Sequence, residues 1–116
     1  MKPSTKLSPA EIADRLKSLP GWRLENGEIV RDYTTDGWST TLMLVNAIGF
    51  FAEAADHHPD LAVSWGKVRV KLSTHSAGGV TASDLELAQL IEQTALWRPK
   101  AGTSALRGTT KKFVAP

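Results

Sequence analysis

Two short alternating segments, each bent about a turn dipeptide, flank a proline-free run from about Trp38 to Asp56. No other feature limits the folds open to this chain so strongly. In the first segment, Trp22-Arg23-Leu24-Glu25 and Glu28-Ile29-Val30-Arg31-Asp32-Tyr33 surround Asn26-Gly27, the dipeptide that most readily takes the two positive φ angles of a type I′ turn. In the second, Leu61, Val63 and Trp65 alternate with Ala62 and Ser64, Gly66-Lys67 permits a tight turn, and Val68, Val70 and Leu72 alternate with Arg69, Lys71 and Ser73. Each segment predicts an antiparallel hairpin with one apolar face. Between them Leu42, Val45, Ile48, Gly49, Ala52 and Ala55 recur at helical spacing and predict the longest helix, which Pro59 ends. Met43, Leu44, Phe50 and Phe51 widen its apolar surface beyond one stripe, as expected of a helix that meets a second subunit as well as its own sheet.

Two capping boxes open further helices. Ser8-Pro9-Ala10-Glu11 starts one whose stripe is Ile12, Leu16 and Leu19, stopped by Pro20-Gly21. Thr81-Ala82-Ser83-Asp84 starts another, carrying Leu85, Leu87, Ala88, Leu90, Ile91 and Ala95 to about Trp97. The order helix, hairpin, helix, hairpin, helix predicts an α+β two-layer domain: a four-stranded antiparallel sheet with helices packed on one face. A length of 116 residues suits a single core of this kind. The domain is expected over residues 1–97, with 98–116 a basic C-terminal tail, rich in Gly, Thr, Lys and Pro, that reads as an extended or mobile end.

Charge and composition narrow the function classes. The tail segment after Glu92 has no acid but carries Arg98, Lys100, Arg107, Lys111 and Lys112, so the net +2 is a property of the chain end. That balance gives nucleic acid little support as a partner outside the tail. With no cysteine there is no disulfide, thiolate nucleophile or Cys-ligated metal. No apolar signal core follows Met1, and the longest apolar stretch, Leu42 to Ala52, is broken by Asn46. These features predict a cytoplasmic protein without a membrane segment. No glycine-rich phosphate loop or nucleophile elbow is present.

All three histidines fall between positions 57 and 75. His57 and His58 end a helix. His75, by the period of the second hairpin, falls on the side of Arg69, Lys71 and Ser73 if the strand extends that far. Imidazoles titrate near pH ~6.5, so a pocket holding several suits a reaction that needs a proton donor and a proton acceptor together near neutrality. No metal site is expected, because the usual i, i+4 histidine pair is missing. Simpler roles stand beside the chemical one: helix-terminal histidines bind carbonyls, Asp84 fills the N3 position of a capping box, Glu53 is a solvated helix residue, and Trp22 and Trp65 are core or interface aromatics.

In spacing these residues resemble the pterin-4a-carbinolamine dehydratases. The signature reads Glu53, three intervening positions, His57-His58-Pro59, then Trp65, nine further positions to His75, and Asp84. Asp56, Ser73-Thr74, Gly79, Leu87-Ala88 and Gly21-Trp22 also look like the family, so the resemblance covers about residues 8–97. It implies a hydro-lyase that dehydrates 4a-hydroxytetrahydrobiopterin to quinonoid dihydropterin, in tetrahydropterin recycling after aromatic amino-acid hydroxylases, with no metal or organic cofactor. It further implies His57 and His75 as the acid/base pair, His58, Pro59 and Thr74 as substrate-binding residues, and Glu53 and Asp84 as supporting ones. A homodimer or homotetramer is implied as well. The same fold in some relatives serves as a non-catalytic assembly factor or a transcriptional dimerisation cofactor, and survival of the three histidines favours the enzyme.

Overall fold

Asn26 and Gly27 take φ angles of 51° and 77°, the left-handed pair that a two-residue hairpin turn requires. They join β1 (Arg23–Glu25) to β2 (Glu28–Thr34). The computed structural model describes residues 5–116, in which α1 (Pro9–Leu16) precedes this hairpin and α2 (Trp38–Ala55) follows it. Next come β3 (Asp60–Ser64), β4 (Lys67–Leu72), a single 3-10 turn at His75–Ala77 and α3 (Ala82–Ala95). Both predicted capping boxes form: Ser8 and Glu11 cap α1, and Thr81 and Asp84 cap α3. The outer helices are shorter than predicted, because the chain after Leu16 closes in a turn, with Leu19 N–H donating to the Leu16 carbonyl at 3.0 Å.

The four strands make one antiparallel sheet in the order β1-β2-β4-β3, giving the expected α+β architecture. Register places Ile29 opposite Leu72, Arg31 opposite Val70 and Tyr33 opposite Val68, so these six side chains share the helix-covered face. There the five other than Arg31 join Ile12, Leu19, Trp22, Leu44, Ile48, Leu85, Ala88 and Ile91 in one buried core. On the opposite face Asp32 accepts two hydrogen bonds from Arg69, at 2.7 and 3.1 Å.

Two expectations change. His75 does not continue β4. The strand stops at Leu72, opposite Ile29, and β2 itself begins only one residue earlier, at Glu28 after the Asn26-Gly27 turn, so no strand lies opposite position 75. Thr74 bridges to Gly79 instead, its N–H donating to the Gly79 carbonyl at 2.8 Å, and His75 begins the 3-10 turn inside that loop. The tail likewise has a fixed end. Residues 98–116 form no helix or named strand, yet Val114 bridges to Thr35 and is buried in the core, and Ala115 N–H donates to the Thr34 carbonyl at 2.9 Å. Short β1 leaves this end of β2 unpaired, and the returning chain fills it.

Candidate active site

Helix α2 ends where Asp56 enters the left-handed region at φ 50°, a conformation that Asp tolerates better than most residues. His57 N–H then reaches back to the Ala52 carbonyl at 3.0 Å, closing the helix end in Schellman fashion. The chain leaves the helix axis at this point, and the His57 side chain turns toward the N-terminus of α3. There its Nε2 lies 2.5 Å from Asp84 Oδ1.

Asp84 is fully buried. Its Oδ2 accepts from the Thr81 backbone N–H at 2.9 Å and from the Thr74 hydroxyl at 2.7 Å, while Oδ1 faces His57. The capping role and the role beside a histidine are therefore carried by opposite oxygens of one carboxylate. With Asp84 ionised, His57 donates from Nε2, which fixes the tautomer and leaves Nδ1 as the acceptor. Thr74 also pairs with the Thr81 hydroxyl at 2.8 Å, so the loop bearing His75 is tied to the same helix start.

The remaining candidates stand apart from this cluster. His58 is exposed, and its Nε2 pairs with Glu53 Oε1 at 2.7 Å across the last turn of α2. Pro59 follows it, half-buried. His75 is exposed, and among the described residues no hydrogen bond holds its imidazole. An open cleft of about 530 Å³ runs from His57 along α3, past Ser83, Glu86, Gln89, Leu90 and Gln93. His58, Thr74 and His75 are not in its lining. Among the described residues no three His, Asp or Glu side chains gather to hold a metal ion.

A family model described as pterin 4 alpha carbinolamine dehydratase matches residues 5–94. The chain belongs to this family. A protein of Aquifex aeolicus with the provisional name pterin-4-alpha-carbinolamine dehydratase is 48% identical over 88 residues, 76% of this chain and 89% of its own length. One of the same provisional name from Chloroflexus aurantiacus is 44% identical over 88 residues, covering 76% and 95%. Among solved structures, a transcriptional coactivator/pterin dehydratase from Brucella melitensis superposes with a TM-score of 0.73 at 30% identity, covering 76% of this chain and 96% of that one.

This member of the dehydratase family also contains a polar cluster whose pairing, across long stretches of sequence, local sequence patterns do not predict. Glu92 accepts from the Tyr33 hydroxyl at 2.6 Å, Arg31 Nε at 3.1 Å and Trp22 Nε1 at 3.2 Å. Burial works to raise the Glu92 carboxyl, but the hydrogen bonds from Arg31 and Tyr33 and the Arg31 charge outweigh it and hold the group below the usual carboxylate range. Burial, reinforced by Glu92, pushes the Tyr33 hydroxyl well above its ordinary value. Gly21 leaves the room that Arg31 fills, since a Cβ there would lie 2.3 Å from the guanidinium Nε. The signal was a charge on each apolar face: Arg31 between Ile29 and Tyr33, and Glu92 at helical spacing from Leu85 and Ala88. The cleft residues Glu86, Gln89 and Gln93 were legible in the same way, as one polar stripe of α3.

Proposed function

We propose that this protein dehydrates 4a-hydroxytetrahydropterins to the quinonoid dihydropterin by histidine acid/base chemistry. The observation that carries this reading is the His57–Asp84 pair, in which a buried carboxylate fixed by a helix cap holds one imidazole in a defined tautomer. In the reaction the C4a–O bond breaks, and its electron pair leaves with the hydroxyl, which takes a proton and departs as water. A ring nitrogen gives up its proton, and the N–H electrons form the C=N bond. His57, with Nδ1 open, is assigned the base that takes the ring proton. His75, exposed and free to recharge from solvent, is assigned the acid that protonates the leaving hydroxyl. His58, Pro59 and Thr74 would bind and orient the pterin, with Glu53 holding the His58 ring. Asp84 acts through His57 and is a positioning residue.

The reading includes a cytoplasmic homo-oligomer acting after a pterin-dependent aromatic amino-acid hydroxylase. Its support is the family membership and an exposed apolar face on α2, where Met43 is 56% and Phe50 64% exposed. No described helix is long and apolar enough to cross a membrane. The test is to generate 4a-hydroxytetrahydropterin in situ with a hydroxylase and follow its loss by ultraviolet absorbance. Wild-type protein should accelerate it, and His57→Ala or His75→Ala should each lose about 10²–10⁴-fold in rate. Folded wild-type protein that leaves the spontaneous rate unchanged would reject the enzyme reading in favour of a binding role on the same fold.

A further inference from the structure

The family match ends at residue 94, and the tail beyond it builds a cleft of its own. Trp97, Pro99, Leu106 and Phe113, together with Arg98 and Arg107, line a space of about 360 Å³. Trp97 and Leu106 are 57% and 62% exposed, a large apolar surface for so short a segment. The cleft is held together from inside. The Arg98 guanidinium donates to the carbonyls of Trp97 at 2.7 Å and Lys112 at 3.2 Å and covers the Phe113 ring at 5.4 Å, which joins the start of the tail to its end. Val114, buried in the core, anchors that end to the sheet.

Charge identifies what the cleft would receive. Arg98, Lys100, Arg107, Lys111 and Lys112 share the segment with no acid, and among the described residues none of them joins an ion pair. Asp36, whose backbone N–H donates to the Phe113 carbonyl, is an acid close enough to feel Lys111. We propose that this cleft docks an acidic segment of a partner protein, seating one bulky apolar side chain against Trp97 and Leu106 while flanking carboxylates pair with Arg107 and the neighbouring lysines. Trp and Arg around an apolar depression are the residue types that dominate binding energy at protein interfaces. A small carboxylate would need one cation, whereas Arg98 and Arg107 both line the cleft and Lys100, Lys111 and Lys112 lie within two residues of its lining positions Pro99 and Phe113. A single-stranded nucleic acid would stack successive bases on several open aromatic faces, and with Arg98 over Phe113 only Trp97 of the cleft's two aromatics is left uncovered by a cation.

The test uses the full chain and a short fluorescein-labelled peptide of Asp and Glu with one central Phe, titrated by fluorescence anisotropy. Saturable binding that weakens with added salt is expected, because the pairs form at an exposed surface. Exchanging the peptide Phe for Ser should weaken binding about tenfold, as loss of one buried apolar side chain does. Arg107→Glu and Leu106→Ser should each weaken it while leaving the pterin dehydration rate unchanged. The peptide exchange leaves the protein untouched, so the result stands even where a tail variant loses its local structure. Absence of saturable binding at low salt, or binding indifferent to the Phe, would overturn the proposal. Tighter binding of oligothymidylate than of the peptide would overturn it too and make the tail a nucleic-acid site. Because the readout is peptide binding, its failure is separate from failure of the dehydratase reading.

Discussion

The Nε2 atom of His57 and the Oδ1 atom of Asp84 stand 2.5 Å apart, and the second oxygen of that carboxylate is bound to the first turn of α3. Asp84 cannot turn away from His57 without releasing the Thr81 N–H and the Thr74 hydroxyl. The imidazole is thus oriented by a group that the helix itself holds still.

Asp84→Asn separates capping from orientation. The Asn carbonyl can replace Oδ2 toward Thr81 and Thr74, which leaves its NH2 facing His57 and forces the imidazole proton onto Nδ1. The expected result is a folded protein whose kcat falls about 10²–10³-fold with little change in KM. Steady-state kinetics across pH, compared with unfolding curves, checks this. A loss that follows stability alone would make Asp84 merely structural.

His58 differs in kind from His57, since it is exposed and its partner Glu53 lies on the same helix. His58→Gln is expected to raise KM more than it lowers kcat, and Glu53→Gln to do the same more weakly. A kcat loss as large as that of His57→Ala would move His58 into the acid/base pair.

Glu92→Gln removes the charge that Arg31, Tyr33 and Trp22 all address, at an expected cost of about 2–4 kcal/mol at neutral pH. The pH dependence has a definite sign. Because Glu92 is held below its ordinary 4.5, its contribution is complete above that value and is lost as pH falls through the lower native value. Tyr33, raised above its ordinary 10.0, works in reverse: its contribution is complete below that value and is lost on further alkalinisation. Urea unfolding across pH should show wild type losing stability at both extremes, with a flatter acid limb in Glu92→Gln.

Phe50→Glu places a charge in the exposed apolar face of α2. Sedimentation velocity should show the wild-type chain as an oligomer and the variant dissociated to smaller species, with far-ultraviolet circular dichroism unchanged. A monomeric wild type would remove the subunit contact from that face.

Sequence signals were reliable where the physics is local. The Asn26-Gly27 turn, both capping boxes and the alternation of Val68, Val70 and Leu72 each depend on residues a few positions apart, and all appear in the fold. His75 falls outside the strand because β2 reaches only one residue past Ile29 before the Asn26-Gly27 turn, leaving nothing for β4 to pair with that far along. The Glu92 cluster joins residues 59 to 70 positions apart, and the docking of Val114 on Thr35 spans most of the chain. Distance in sequence, rather than weakness of the interaction, hid them. Of the residues expected at the candidate site, His57, Thr74 and Asp84 come together while His58, Glu53 and His75 stand apart, and capping and a supporting role read as alternatives for Asp84 until both oxygens could be followed.

A carboxylate that both starts a helix and aims an imidazole makes the two positions unequal under mutation. A descendant with no use for the chemistry would have no catalytic need of an imidazole at 57, whereas position 84 would still be held to an acid or amide by the needs of α3. In comparing relatives, an acid at 84 therefore testifies to inherited architecture. Under the proposed mechanism, the imidazole at 57 is the better marker of a chain still engaged in proton transfer.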